Sequence, residues 1–223
     1  GCNPAATSGV CLTTRPQETK EGLLSLKEEQ RQDGAIGGLR PGVPPGPMRI
    51  LSWNYRGIGD PVTVRELRDL LEISSPSILC LVETQLQKAR VEGLRSSLGL
   101  DFSFGVGSTG RSGGICIFWK NSFDVAIKNY SEYHDDTWVI EPGREHWRLT
   151  CFYGEATRSL RYKTWNTMTR LRGESTLPWM CIGDFNEILR VDEQHGPNEW
   201  DNAQIEAFRE AADVRGLADL GYR

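Results

Sequence analysis

One stretch limits the possible folds more than any other: Trp179-Met180-Cys181-Ile182-Gly183-Asp184-Phe185-Asn186-Glu187, an apolar run that stops at glycine and is followed by a carboxylate and an amide two positions apart. A short apolar run closed in this way reads as a buried strand. Side chains alternate between the faces of a strand, so Asp184 and Asn186 fall on one face while Phe185 turns back into the core. The tip of the strand then carries a carboxylate beside a neutral hydrogen-bonding group. Phosphoryl-transfer sites need that pairing, because the carboxylate takes a proton or holds a metal and the amide orients a phosphate oxygen without adding charge. Asp and Asn also favour turns through local hydrogen bonds, so an ordinary strand closed by an Asx turn fits the same residues.

Other apolar runs end the same way. Arg49-Ile50-Leu51-Ser52-Trp53 reads as a strand ending at Asn54, with a glycine-bearing loop over residues 55–59. Asp60 then suits an N-cap and Pro61 a first helical position, with Val64, Leu67, Leu70 and Leu71 recurring at helical spacing. The run Ile78-Leu79-Cys80-Leu81-Val82 ends at Glu83-Thr84. From Phe102 the pattern is β only. Strands are predicted over 102–106, 115–119, 125–127, 137–140 and 147–153, spaced roughly 10 residues apart as in an antiparallel sandwich, with a glycine-rich turn over 110–114. The last of them ends at Tyr153-Gly154. A helix over about residues 158–171, with Leu160, Trp165, Met168 and Leu171 inward, leads to the 179–187 stretch. A second helix follows, with Asp201 and Gln204 as a capping box and Ile205, Phe208 and Ala212 inward.

Composition bounds the class. The chain has 223 residues, enough for one large or two small domains, and a net charge of −4, which argues against a protein that coats nucleic acid through general basicity. A metal-bridged phosphate substrate stays compatible, since a divalent cation supplies positive charge locally. Six cysteines form no CxxC pair, and Cys80, Cys116, Cys151 and Cys181 lie in apolar runs, as reduced core residues do. No run reaches the ~18 apolar residues of a membrane span, and no signal pattern opens the chain. The expectation is an intracellular protein, nuclear or cytoplasmic, with no membrane partner. Residues 1–47, rich in Gly and Pro with one helix-like patch over 21–31, read as a flexible lead-in, and 48–223 as the folded domain. A first residue Gly1 suggests a fragment or a processed product.

Asn54, Glu83, Tyr153, Asp184 and Asn186 thus stand at the ends of separate predicted strands. If those strands share a rim, the five polar groups converge. Together with Trp53-Asn54, Arg56-Gly57, Leu81-Val82-Glu83-Thr84, Gly113-Gly114, Phe152-Tyr153-Gly154 and Gly183-Asp184-Phe185-Asn186-Glu187, the chain resembles the endonuclease/exonuclease/phosphatase superfamily, whose fold is the four-layer α/β sandwich of deoxyribonuclease I and exonuclease III. Arg111-Ser112-Gly113-Gly114, Asn186-Glu187-Ile188 and Leu217-Ala218-Asp219-Leu220-Gly221-Tyr222 narrow the resemblance to the endonuclease domain of plant non-LTR retrotransposon polyproteins. It covers residues 48–223.

The resemblance implies a Mg²⁺-dependent, or Mn²⁺-dependent, phosphodiesterase that nicks DNA. Glu83 would ligate the metal, with Asn54 fixing the metal site or a phosphate oxygen. Tyr153 and Asn186 would donate hydrogen bonds to the scissile phosphate, and Asp184 would stand near the attacking water or the leaving oxygen. A hard cation with oxygen ligands suits these residue types. Two departures matter. Arg56 stands where exonuclease III-like members carry an aspartate, as is usual in the retrotransposon branch. The family's C-terminal Ser-Asp-His segment does not occur before the chain ends, and His134, His146 and His195 read instead as surface or loop residues. The resemblance therefore implies a domain incomplete at its C-terminus, with a β-sheet edge left uncovered and weak or absent activity. The alternative is a non-catalytic remnant that keeps some metal or nucleic-acid contact. A third reading, an inositol-phosphate phosphatase, is disfavoured by Arg56 and Arg111.

Overall fold

A computed structural model describes residues 10–14, 48–54, 61–85, 88–107, 113–141, 143–193 and 201–220. Its centre is β3 (Ile78–Val82), every residue of which is buried. A strand apolar on both faces needs cover on both. It pairs parallel with β2 (Ile50–Asn54) and antiparallel with β5 (Ile115–Trp119), which itself pairs with β4 (Phe102–Val106), giving a four-stranded sheet in the order β2-β3-β5-β4. Parallel strands need a crossover. Between β2 and β3 it is α1 (Pro61–Ser74), which opens on the expected proline; Asp60, its expected N-cap, lies outside the described residues. With α2 (Lys88–Ser97) it covers the outer face of this sheet, where Leu67, Val91, Leu94 and Leu98 pack on Leu79, Leu81, Cys116 and Phe118.

The second sheet contains β6 (Asp124–Ser131), β7 (His134–Ile140), β8 (Trp147–Tyr153), β9 (Trp179–Asp184) and β10 (Leu217–Asp219). The β8 and β9 strands are parallel, joined through a 3₁₀ turn at Arg158–Leu160 and α3 (Tyr162–Glu174); the single helix expected over 158–171 is divided there. With α4 (Asn202–Val214), α3 covers the outer face of this sheet: Met168, Leu171, Phe208 and Ala212 close over Phe152, Trp179 and Phe185. Between the sheets lies a third apolar layer, including Ile78, Val82, Ile117, Leu149 and Tyr153. Helices, sheet, sheet and helices make the expected four-layer α/β sandwich. In the inner layer Cys80 and Cys151 meet as a disulfide, Cα atoms 6.4 Å apart, so among the four core cysteines the reduced state expected from their setting holds for Cys116 and Cys181 only.

The second sheet also holds β1 (Val10–Thr14), in the order β10-β1-β9-β8-β7-β6, and here the structure departs from the sequence reading. This strand between β9 and β10 is taken from the stretch assigned to a flexible lead-in. Its residues pair antiparallel on both sides, so β1 lies inside the sheet and β10 stands at its edge. The remainder of 1–47 lies outside the described residues. The capping box is also half right: the Asp201 carboxylate accepts from Ala203 N at 3.0 Å, but the Gln204 amide turns away to Glu187 at 2.9 Å. Among the described residues no helix is long and apolar enough to cross a membrane.

Beneath α3 lies a buried polar network. Arg148 on β8 donates to both carboxylate oxygens of Asp136 on β7, at 2.7 and 2.8 Å, and to the carbonyl of Leu171 near the end of α3. Thr150 donates to the same carboxylate at 2.7 Å and accepts from the Trp179 indole at 2.8 Å. These groups tie α3 to three adjacent strands.

Candidate active site

The five expected site residues come together, because the parallel pairs β2/β3 and β8/β9 put four strand ends on one rim. In the ladder Asn54 is the partner of Val82, and Tyr153 of Asp184. Two hydrogen bonds then cross from one sheet to the other. The Asn54 amide donates to Asp184 Oδ2, and the Tyr153 hydroxyl donates to Glu83 Oε1. Asp184 and Tyr153 are 7% and 6% exposed, so both are buried groups with little contact with solvent.

Backbone geometry holds the group in place. Gly183 has φ +136°, and a Cβ there would lie 2.1 Å from the Phe152 carbonyl oxygen; one on Gly154 would lie 2.1 Å from that of Phe185. Only glycine permits so close an approach of the ends of β8 and β9. Phe185 is fully buried, packed between the tilted rings of Phe152 and Phe208, as alternation requires. Asn186 is a correction. The strand stops at Asp184, and Asn186 takes a left-handed conformation, φ +52°, rather than continuing the alternation. Its backbone N–H donates to Asp184 Oδ1 at 2.8 Å, the Asx turn, and its side chain donates to the Gly154 carbonyl at 2.8 Å. Local turn chemistry and a shared site therefore coexist. Glu83 leaves β3 with φ +55°, and Thr84 N and Gln85 N donate to Gly114 O and Gly113 O, each at 3.2 Å. Arg56, Gly57, Arg111 and Ser112 lie outside the described residues.

The donor set suits a hard cation. The rim carries two carboxylates, Asp184 bonded by Asn54 and Glu83 bonded by Tyr153, and the Asn54 Oδ1 is buried with no hydrogen-bond partner among the described residues. A buried amide oxygen left without a donor costs free energy, and a cation ligated there would remove that cost. Among the described residues no group of three or more His, Cys, Asp or Glu could hold a metal, so Glu83 and Asn54, the expected ligands, would depend on oxygen from an amide as well as a carboxylate.

Three further features escaped the sequence. Glu187, buried, accepts from Arg161 at 3.2 Å and from Gln204; burial pushes its carboxyl up, opposed by the Arg161 charge. This brace fixes the loop after Asn186, and nothing in the sequence near Glu187 points to partners 26 and 17 positions away. His134 is buried on β7, not on a loop. Its Nδ1 bonds Ser131 Oγ at 2.8 Å, and burial, helped by the Arg170 charge, pushes it down to about 4. His146 is exposed as expected, and His195 lies outside the described residues. Asp135, opposite Cys151 in the ladder, is fully buried, and neither carboxylate oxygen has a hydrogen-bond partner among the described residues.

Burial pushes the Asp135 carboxyl well above the ordinary carboxylate range. The folded chain therefore holds a proton there that the unfolded chain releases above pH about 4, so this group lowers stability as pH rises through that window. Asp135→Asn removes the term. Urea titrations from pH 4 to 8 should show the variant gaining on the unaltered chain as pH rises; a constant difference would mean that Asp135 is ionised in the fold.

A model of the endonuclease/exonuclease/phosphatase family matches residues 51–210. Among solved structures, the endonuclease domain of TRAS1, a telomere-specific non-LTR retrotransposon, is similar at a TM-score of 0.61 and 16% identity, over 79% of this chain and 76% of that one. An AP endonuclease from Archaeoglobus fulgidus gives 0.55 and 18%, over 75% and 70%. AP endonuclease LMAP from Leishmania major gives 0.53 and 16%, over 76% and 66%. At these identities the likeness is one of fold. No curated protein sequence matches the chain.

Proposed function

The chain belongs to the endonuclease/exonuclease/phosphatase family, and we propose that it is a DNA-nicking endonuclease of the retrotransposon type, dependent on Mg²⁺ or Mn²⁺. One observation carries this reading: the two hydrogen bonds that bridge the sheets join a carboxylate to a phenol and a second carboxylate to an amide at a single rim. Two carboxylates alone repel a phosphodiester. A divalent cation held by Glu83 and the Asn54 amide oxygen would offset that charge and polarise the phosphoryl group.

The remaining residues act on the substrate. Tyr153, whose hydroxyl now donates to Glu83, turns that donor to a phosphate oxygen, and the Asn186 amide donates from the side of Gly154. Donors fixed before the reaction stabilise charge as it develops on the phosphoryl oxygens. Asp184, oriented by Asn54 and the Asn186 N–H, accepts the proton of the attacking water or holds it for the leaving oxygen.

Supercoiled-plasmid nicking tests the reading. The chain should convert supercoiled to open-circular plasmid slowly in Mg²⁺, Mn²⁺ should substitute, and a chelator should stop the reaction. A folded chain that nicks no plasmid under any divalent cation would contradict it and leave a remnant that keeps the site without the activity.

A further inference from the structure

We infer that the gap between β9 and β10 is an acceptor site for an extended peptide strand, that residues 10–14 of this chain are its occupant, and that filling it sets the position of Asp184. On one side Val10, Cys11, Leu12 and Thr13 pair with Gly183, Ile182, Cys181 and Met180; on the other Leu12, Thr13 and Thr14 pair with Asp219, Ala218 and Leu217. Leu220 N adds a bond to Cys11 O at 3.0 Å. Main-chain hydrogen bonds thus hold the segment on both edges, and Leu12, fully buried in the cluster with Cys181, Phe208 and Leu217, is its apolar anchor. Strand addition binds peptides this way: the backbone supplies affinity and a pocket for an alternate side chain supplies selectivity.

The occupant is separable by its connectivity. Both partner strands come from residues 179–219, whereas β1 joins the next described strand only through residues 15–47. The strand is therefore joined to β9 and β10 by its two ladders and not by a short turn to either of them. Five residues make no stable strand by themselves. When β1 leaves, β9 and β10 each lose a ladder, and the loss reaches the site directly: Val10 pairs with Gly183, the residue before Asp184, where the chain has no side chain to anchor it.

The test uses hydrogen exchange on the full chain, a readout that does not depend on nicking, so it can fail while the endonuclease reading stands, and the reverse. Thr13→Pro removes one ladder donor, and Leu12→Asp places a charge in the closed cluster. In either variant, the amides of 217–219 and those of 180–183 that face β1 should exchange at least tenfold faster, while those of β9 that face β8 and those of β3 and β5 keep their protection. A synthetic peptide of residues 7–16 should restore protection saturably, and its Leu12→Asp version should not. Should both variants fail to fold, labelled peptide incubated with the unaltered chain should be taken up saturably. A concentration-dependent dimer dissolved by the peptide is the same acceptor filled by a second copy, and supports the inference. Unchanged protection at β9 and β10 in folded variants, protection that the peptide does not restore, or no uptake by the unaltered chain would overturn it.

Discussion

Asp136→Ala should bring the protein to the edge of unfolding. The Arg148 guanidinium is 2% exposed and takes both of its short charged contacts from Asp136. Without that carboxylate, its nearest remaining acid is Glu174 at 3.5 Å, on a partly exposed helix end. Breaking a buried pair by removing one partner costs about 3–5 kcal/mol, because the other charge stays in a poor solvent. Domains of this kind have roughly 5–15 kcal/mol in all. Thr150 would also lose its acceptor, and with it the fixed partner of the Trp179 indole. The double variant Asp136→Ala, Arg148→Met should recover most of the loss, since no charge is then left unpaired. Urea unfolding of the three proteins measures this; a loss below about 1 kcal/mol in Asp136→Ala would mean that the pair is solvated.

The second large effect falls on activity. Asp184→Asn keeps the shape of the side chain and an oxygen for the Asn186 N–H, but its new NH2 faces the Asn54 amide donor, which must turn to accept from it, so the fold should hold with a loss of about 1 kcal/mol. What it removes is the proton acceptor at the rim. General acid–base groups contribute typically ~10²–10⁴-fold, and nicking should fall by a factor in that range with little change in substrate affinity. Equal rates for variant and parent would remove Asp184 from the proposed chemistry.

The strand ends were legible because each closes an apolar run with a polar residue, and parallel crossovers place such ends together whatever the intervening sequence. Asn186 was misplaced because alternation was carried one step past Asp184, where the glycine-led close approach of β8 and β9 ends the strand. Strand β1 was missed for a different reason. Val10-Cys11-Leu12-Thr13-Thr14 is a fair strand pattern, but its neighbours in sequence are Gly- and Pro-rich, and all its stabilisation comes from residues near the other end of the chain. Helix α2 was overlooked because its apolar contacts reduce to Val91 and Leu94, with Leu98 just past its end. The buried acids show the same limit. Asp136 is stabilised by an arginine 12 positions away, whereas Asp135 beside it has no such partner among the described residues, and composition treats the two alike.

The central claim is that Asn54, Glu83, Tyr153, Asp184 and Asn186 form one cation-dependent site. Paramagnetic broadening by Mn²⁺ tests it most directly, because the effect falls steeply with distance and needs no turnover. Substoichiometric Mn²⁺ should selectively broaden the side-chain amide signals of Asn54 and Asn186 and the Gly154 N–H, Mg²⁺ should compete the effect away, and Glu83→Gln should abolish it. Broadening confined to exposed acids elsewhere, or unchanged broadening at Asn54 in the Glu83→Gln variant, would contradict the assignment.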